Sequence, residues 1–311
     1  MENLFKTDSL PAWPDYLRQH IKTYPLTAIG LGIAALGVLL LIVQSVWQIV
    51  SGHSSTYVNW GLMGGLLGFA ATTAGALPAL FIHGISQKTE AAMLGFAAGM
   101  MLAASAFSLL LPGIEAGEQL TGDRGSGVAI VVLGMALGVM LMLGLDKFTP
   151  HEHARTGPCG PGHQACKQVW LFVFAIALHN LPEGMAIGVS FAGGDLSVGI
   201  PLTSAIAIQD IPEGLAVALA IIAAGYKPLL AVGIAIISGL LEPLGALIGV
   251  TLSSGMVAAY PMGLGLAAGA MLFVVSHEVI PETHRNGYQT TATLGLMVGF
   301  ALMMTLDTAL G

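Results

Sequence analysis

Seven side chains able to hold a cation fall in three short stretches of otherwise apolar sequence. The first stretch reads His179-Asn180-Leu181-Pro182-Glu183-Gly184 and the second reads Gln209-Asp210-Ile211-Pro212-Glu213-Gly214. In the third, Glu242 directly precedes Pro243. The two hexads align position by position at an offset of 30. Residues three and four apart share a helix face, so His179 and Asn180 stand near Glu183, and Gln209 and Asp210 near Glu213. Each Pro removes a backbone hydrogen bond and kinks its helix, and the Gly after each Glu permits further irregularity. Four carboxylates with no Lys or Arg among them repel one another in a low dielectric. Protons or cations must neutralise them, and two divalent ions match the four charges. Imidazole beside carboxylate oxygen favours Zn²⁺ and neighbouring transition metals, whereas an all-oxygen set favours hard ions. The mixture points to Zn²⁺, with Fe²⁺, Mn²⁺ or Cd²⁺ as competitors.

These stretches need elements that hold them away from water, and the composition supplies little else. The chain has 311 residues, of which 9% are charged and 55% hydrophobic, with 10 Lys+Arg against 17 Asp+Glu. A soluble domain carries about 25% charged residues, so neither a water-facing globular enzyme nor a disordered chain fits. The mean hydropathy is +0.82. The acidic balance and the lack of long basic runs argue against nucleic acid. Two cysteines, Cys159 and Cys166, are too few for a disulfide scaffold. Gly at 42 residues is roughly twice the usual share and suits close helix packing in lipid.

A transmembrane helix needs about 20 mostly apolar residues. Nine stretches qualify, at roughly 26–50, 58–82, 91–113, 127–146, 168–192, 198–223, 228–252, 260–280 and 290–310. The first is too long for a signal-peptide core and follows 25 polar or mixed residues, so it reads as a retained helix. The expected class is all-α, a polytopic membrane helix bundle. Segment 1–25 is expected to be cytoplasmic, 26–50 an N-terminal helix, and 58–311 the main membrane domain with a cytoplasmic loop at 147–167. With the N-terminus inside, nine of the ten basic residues lie on the cytoplasmic side and only Arg124 outside, which sets the orientation. Gly311 is then outside. The hexads sit on spans running in opposite directions, an inverted pair of interrupted helices, the usual pointer to a transporter's midplane site.

At these residues the chain resembles the Zrt/Irt-like (ZIP) metal transporter family, whose paired signature HNLPEG and QDIPEG match. The resemblance covers the second to ninth spans, and the first would be added to the family's eight helices. It implies a binuclear centre, with two metals per protomer. One metal takes His179, Glu183, Gln209 and Glu213 with the thioether of Met101. The other takes Asn180, Asp210 and Glu242, with Glu183 and Glu213 bridging. Many members carry His where this chain has Gln209, which broadens the expected cargo to other divalent ions, including Cd²⁺. The resemblance also implies a homodimer in a bacterial inner membrane, and an elevator-like slide of the metal-carrying helices against a scaffold. No catalytic cofactor is implied.

Further candidates lie toward the two faces. The 147–167 loop contains His151, His153, Cys159, His163 and Cys166 in no zinc-finger spacing. The stretch Ser276 to His284 places His277, Glu278, Glu282 and His284 at the cytoplasmic end of a span, a candidate exit. Ser108, two turns outward of Met101, and Asp307 form a candidate entrance. Acidic groups at Glu115, Glu118, Asp123 and Asp195 face outward and read as solvated loop charges. The competing classes are a metal-selective channel, a membrane metal sensor and an intramembrane metalloprotease. The last needs an H-E-x-x-H helix, and His277-Glu278 lacks the second His.

Overall fold

The computed structural model describes residues 56–82, 84–148, 151–153, 157–159, 168–223, 225–253, 258–284 and 287–310, with isolated positions before residue 56. The expected extra helix at 26–50 and the segment before it lie almost wholly outside the described residues, as do His163 and Cys166. The described chain is helical except for one small hairpin. Its elements are α1 (Thr56–Ala76), α2 (Gln87–Ala103), α3 (Leu111–Thr121), α4 (Arg124–Phe148), β1 (His151–His153) and β2 (Gly157–Cys159). They continue with α5 (Gln168–Ala192), α6 (Leu196–Ala223), α7 (Pro228–Gly239), α8 (Leu241–Ser253), α9 (Ala259–Val274), α10 (Ile280–Thr283) and α11 (Gln289–Leu310). The strands pair antiparallel inside the 147–167 loop, His151 opposite Cys159.

Among the described residues, seven helical stretches are long and apolar enough to cross a membrane: Thr56–Leu80, Gln87–Thr121, Arg124–Asp146, Leu196–Ala223, Pro228–Ser253, Ala259–Thr283 and Gln289–Ala309. Helix α5 has 25 residues, about 38 Å at 1.5 Å per residue, which also exceeds a hydrocarbon core of about 30 Å. Large apolar side chains on α4 and α11 point away from the bundle, among them Leu133, Met140, Leu294, Met297 and Val298. Such faces suit lipid.

The helices do not all run smoothly, and prolines explain where. Gln87–Thr121 passes through a π-helical stretch, Ala104–Leu110, just before Pro112. A second, Val275–Val279, precedes Pro281. Each Pro lacks the N–H that the carbonyl four residues earlier would accept, and a widened turn relieves the clash. Those carbonyls belong to Ser108 and His277. The hexads behave differently: α5 stays helical through Pro182 and α6 through Pro201 and Pro212. The true interruption lies at Leu240, between α7 and α8. The interrupted helix is thus the one carrying Glu242-Pro243, not the two carrying the hexads.

Glycine sets the helix pairing. Six G-x-x-x-G segments face one another in three pairs: Gly95/Gly99 of α2 against Gly295/Gly299 of α11, Gly134/Gly138 of α4 against Gly265/Gly269 of α9, and Gly184/Gly188 of α5 against Gly245/Gly249 of α8. Gly184 abuts Glu242 and Gly188 abuts Ala246, so residue numbers rise together and the paired helices are parallel. The other two pairs run the same way, Gly95 against Ala292 and Gly134 against Met262. Backbones that touch gain dispersion and lipid release without any need for hydrophobic driving force. The main apolar core fills the space between, with Met101, Ile187, Ile206, Leu264 and Met271 all buried.

Candidate metal centre

Helix α5 carries His179, Asn180 and Glu183, α6 carries Gln209, Asp210 and Glu213, and Glu242 stands in the first turn of α8. Their convergence is close. Glu183, Asp210 and Glu213 each offer an oxygen, and these three atoms lie within 4.8 Å of one another. Glu183, Asp210, Gln209, Asn180 and Glu242 are buried, and Glu213 is partly so. The Gln209 Nε2 donates to Glu183 Oε1 at 2.6 Å. Thr72 of α1 donates its hydroxyl proton to Glu242 Oε1, also at 2.6 Å. One turn earlier, bare Gly68 faces Glu242 Oε2 and Asp210 Oδ2, and a Cβ there would stand 3.3 Å from the latter. Asn180 Nδ2 and Gln209 Oε1 have no hydrogen-bond partner among the described residues. A small cavity adjoins these groups, lined by Thr72, Asn180, Asp210, Glu213, Gly214, Val217 and Ser238.

What this arrangement does chemically follows from charge. At an effective dielectric of about 20, two ionised carboxylates 4.8 Å apart repel by about 3.5 kcal/mol. Three such pairs approach about 10 kcal/mol, the size of a typical folding stability. The buried polar side chains among the described residues include no Lys or Arg. The cluster therefore holds protons or bound cations. The N-terminal turn of α8 lends its partial positive charge to Glu242, which favours an ionised ligand there.

A profile of the ZIP zinc transporter family matches residues 150–307, the part of the chain that supplies every one of these carboxylates. This chain belongs to the ZIP zinc transporter family. It is 62% identical over 290 residues to zinc transporter ZIPB of Bordetella bronchiseptica, covering 93% of this chain and 94% of that protein. Zinc transporter GufA of Myxococcus xanthus is 43% identical over 251 residues, 81% of this chain and 99% of GufA. Human zinc transporter ZIP11 is 29% identical over 346 residues, covering 84% of this chain and all of ZIP11. These relatives are named as transporters, and this ZIP protein is a multi-pass membrane transporter rather than an enzyme.

The remaining candidates of this ZIP protein fall in distinct places. Met101 is fully buried in the main apolar core, and its carbonyl accepts from Ser105 Oγ at 2.8 Å. His179 does not face only its own helix: its Nε2 lies 3.6 Å from Glu278 Oε2. The hexad and the candidate exit are thus continuous. His277 stacks on Phe273 with ring centroids 4.9 Å apart, and its Nε2 is 3.8 Å from Asp146 Oδ1 of α4. The Nδ1 of His284 lies 2.9 Å from the Ile280 carbonyl, a group that only accepts. Glu282, on the same short helix α10, is partly buried. Ser108 donates to Asp307 at 2.6 Å and ties the first π-helical stretch to α11. His151, His153 and Cys159 lie on the hairpin strands.

Sequence reasoning missed Thr72 and Ser238 at the cavity, Gly68 against Glu242 and Asp146 beside His277. Asp146 had a readable signal, an acid at the end of an apolar span. The others had none, because Thr and Ser in membrane helices commonly bond their own backbone. Asp123 proves to be a local cap: its carboxylate accepts from the Ser126 N–H at 2.8 Å and hydroxyl at 2.9 Å. Those bonds hold its carboxyl below the usual range.

Proposed function

We propose that this protein admits Zn²⁺, with Cd²⁺, Fe²⁺ and Mn²⁺ as further cargo, into the cytoplasm through a binuclear site at the membrane midplane. The observation that carries this reading is the convergence of Glu183, Asp210 and Glu213 within 4.8 Å, with Glu242 beside them and no Lys or Arg among the buried side chains of the described residues. One ion takes His179, Glu183, Gln209, Glu213 and Met101, and the other Asn180, Asp210 and Glu242, with Glu183 and Glu213 shared. From there His179 passes metal toward Glu278, His277 and the cytoplasm, and Ser108 and Asp307 stand at the outer entrance. The protein is a homodimer of the bacterial inner membrane. Its N-terminus is cytoplasmic, its C-terminus periplasmic, an extra helix at 26–50 precedes the 58–311 transport domain, and the 147–167 loop is cytoplasmic.

The motion is elevator-like: α1, α5, α6, α7 and α8 slide against α2, α4, α9 and α11. The glycine pairing supports this division, since α5–α8, α2–α11 and α4–α9 each lie wholly on one side of it. An open pore is the alternative, and uptake that saturates with zinc concentration in liposomes loaded with a metal-sensitive dye favours a carrier over it.

Two outcomes test the site directly. Glu242→Ala is expected to bind one metal fewer by elemental analysis and to take up zinc more slowly but measurably. Loss of both metals would overturn the division into two positions. Uptake and affinity should also fall as pH drops, since imidazole and carboxylates bind metal only when deprotonated. Zinc affinity that is flat from neutral into acid pH would count against these ligands.

A further inference from the structure

Helix α1 contains no acid, base or imidazole, and its part in the metal centre lies in a single hydroxyl. Thr72 is buried, its Oγ1 sits 2.6 Å from Glu242 Oε1, and it lines the cavity shared by Asn180, Asp210 and Glu213. The same hydroxyl lies 3.3 Å from the Gly68 carbonyl, the local bond that a Thr in a membrane helix usually makes. It has one proton to give, and the shorter, charge-assisted contact to the carboxylate takes it. The neighbouring Thr73 hydroxyl, by contrast, is buried with no hydrogen-bond partner among the described residues. Gly68, one turn earlier, leaves room for the other oxygen of Glu242 to turn toward Asp210.

Glu242 stands in the first turn of α8, just after the one-residue interruption at Leu240. We propose that Thr72 is a positioning residue: its hydroxyl pins Glu242 Oε1 and so aims Oε2 at the second metal position beside Asp210. A ligand held this way loses no rotamer freedom on binding. Removal of such a supporting bond typically costs about 10–100-fold in metal affinity. The proposal rests on the two-position reading of the site and adds to it a residue from a helix that supplies no metal ligand.

The test is zinc titration calorimetry of the full chain in lipid nanodiscs, with bound metal counted by elemental analysis. Thr72→Val, which keeps the shape and removes the hydroxyl, is expected to weaken one of the two binding events by about tenfold or more. The other event should stay within about threefold. Thr72→Ser, which restores the donor, should bind like the parent, as should Thr73→Val. Equal weakening in Thr72→Val and Thr72→Ser would show a packing role and overturn the proposal. Parent-like binding by Thr72→Val, alongside loss of one event in Glu242→Ala, would overturn it while sparing the two-position reading. Parent-like binding by Glu242→Ala would sink that reading itself. If Thr72→Val does not fold, Thr72→Ala against Thr72→Ser makes the same comparison.

Discussion

Zinc uptake by Glu183→Ala protein in dye-loaded liposomes is expected to fall by at least about 100-fold, and by a similar factor for Glu213→Ala. A bond that merely orients a ligand is worth about 10–100-fold in affinity, and each of these carboxylates is itself a proposed ligand to both ions. Glu183 has a second duty, because its Oε1 accepts from Gln209 Nε2. Its loss leaves a buried amide donor bare, at a cost of about 1–3 kcal/mol. Glu213 has a different weakness, since it also lines the small cavity beside Asp210 and Asn180. Glu118→Gln is the control: this acid is exposed and pairs with Arg124 at the surface, so its uptake should match the parent. Normal uptake in both Glu183→Ala and Glu213→Ala, at equal reconstitution, would refute the assignment.

Gly184→Ala is expected to destabilise the protein by about 3 kcal/mol, the upper end for overpacking, and to remove the Glu242-linked metal. The added Cβ would fall 2.7 Å from the Glu242 Cα. The obstacle is backbone, so no side chain can swing aside, and α5 and α8 must separate. Separation moves Glu242 away from Asp210 and from Thr72. Gly233→Ala provides the contrast on α7: a Cβ there meets nothing within 4 Å. In a helix that change should raise stability by up to about 1 kcal/mol. Thermal unfolding followed by size exclusion separates the two variants. Similar melting temperatures for Gly184→Ala and Gly233→Ala would show that close approach at Gly184 is not what the position requires.

That pair of glycines shows where reading by sequence stops. Gly184 follows Glu183 in the hexad, and local rules assign it to backbone irregularity beside Pro182. The helix in fact continues unbroken there, and Gly184 serves a neighbour 58 positions away in the chain. Pro182 and Pro212 are tolerated inside helices, whereas the chain breaks at Leu240, before Pro243. A proline's missing hydrogen bond is a local property. Whether surrounding helices hold the chain straight around it is not.

The residue order alone determined the membrane class, because 9% charge cannot clothe a water-facing surface. It also marked the spans from 58 onward and singled out the repeated hexads and the Glu242-Pro243 step, since apolar run length and residue type are local quantities. The fold gathers three of the marked carboxylates into one cluster. Only the tertiary structure decided which glycine face meets which. It also decided that His179 meets Glu278 across two helices and that a hydroxyl of α1 holds Glu242. Each of these is a contact between distant segments, made by groups with no distinctive local pattern. A glycine or a threonine acquires such a role from the backbone or carboxylate that another helix brings to it.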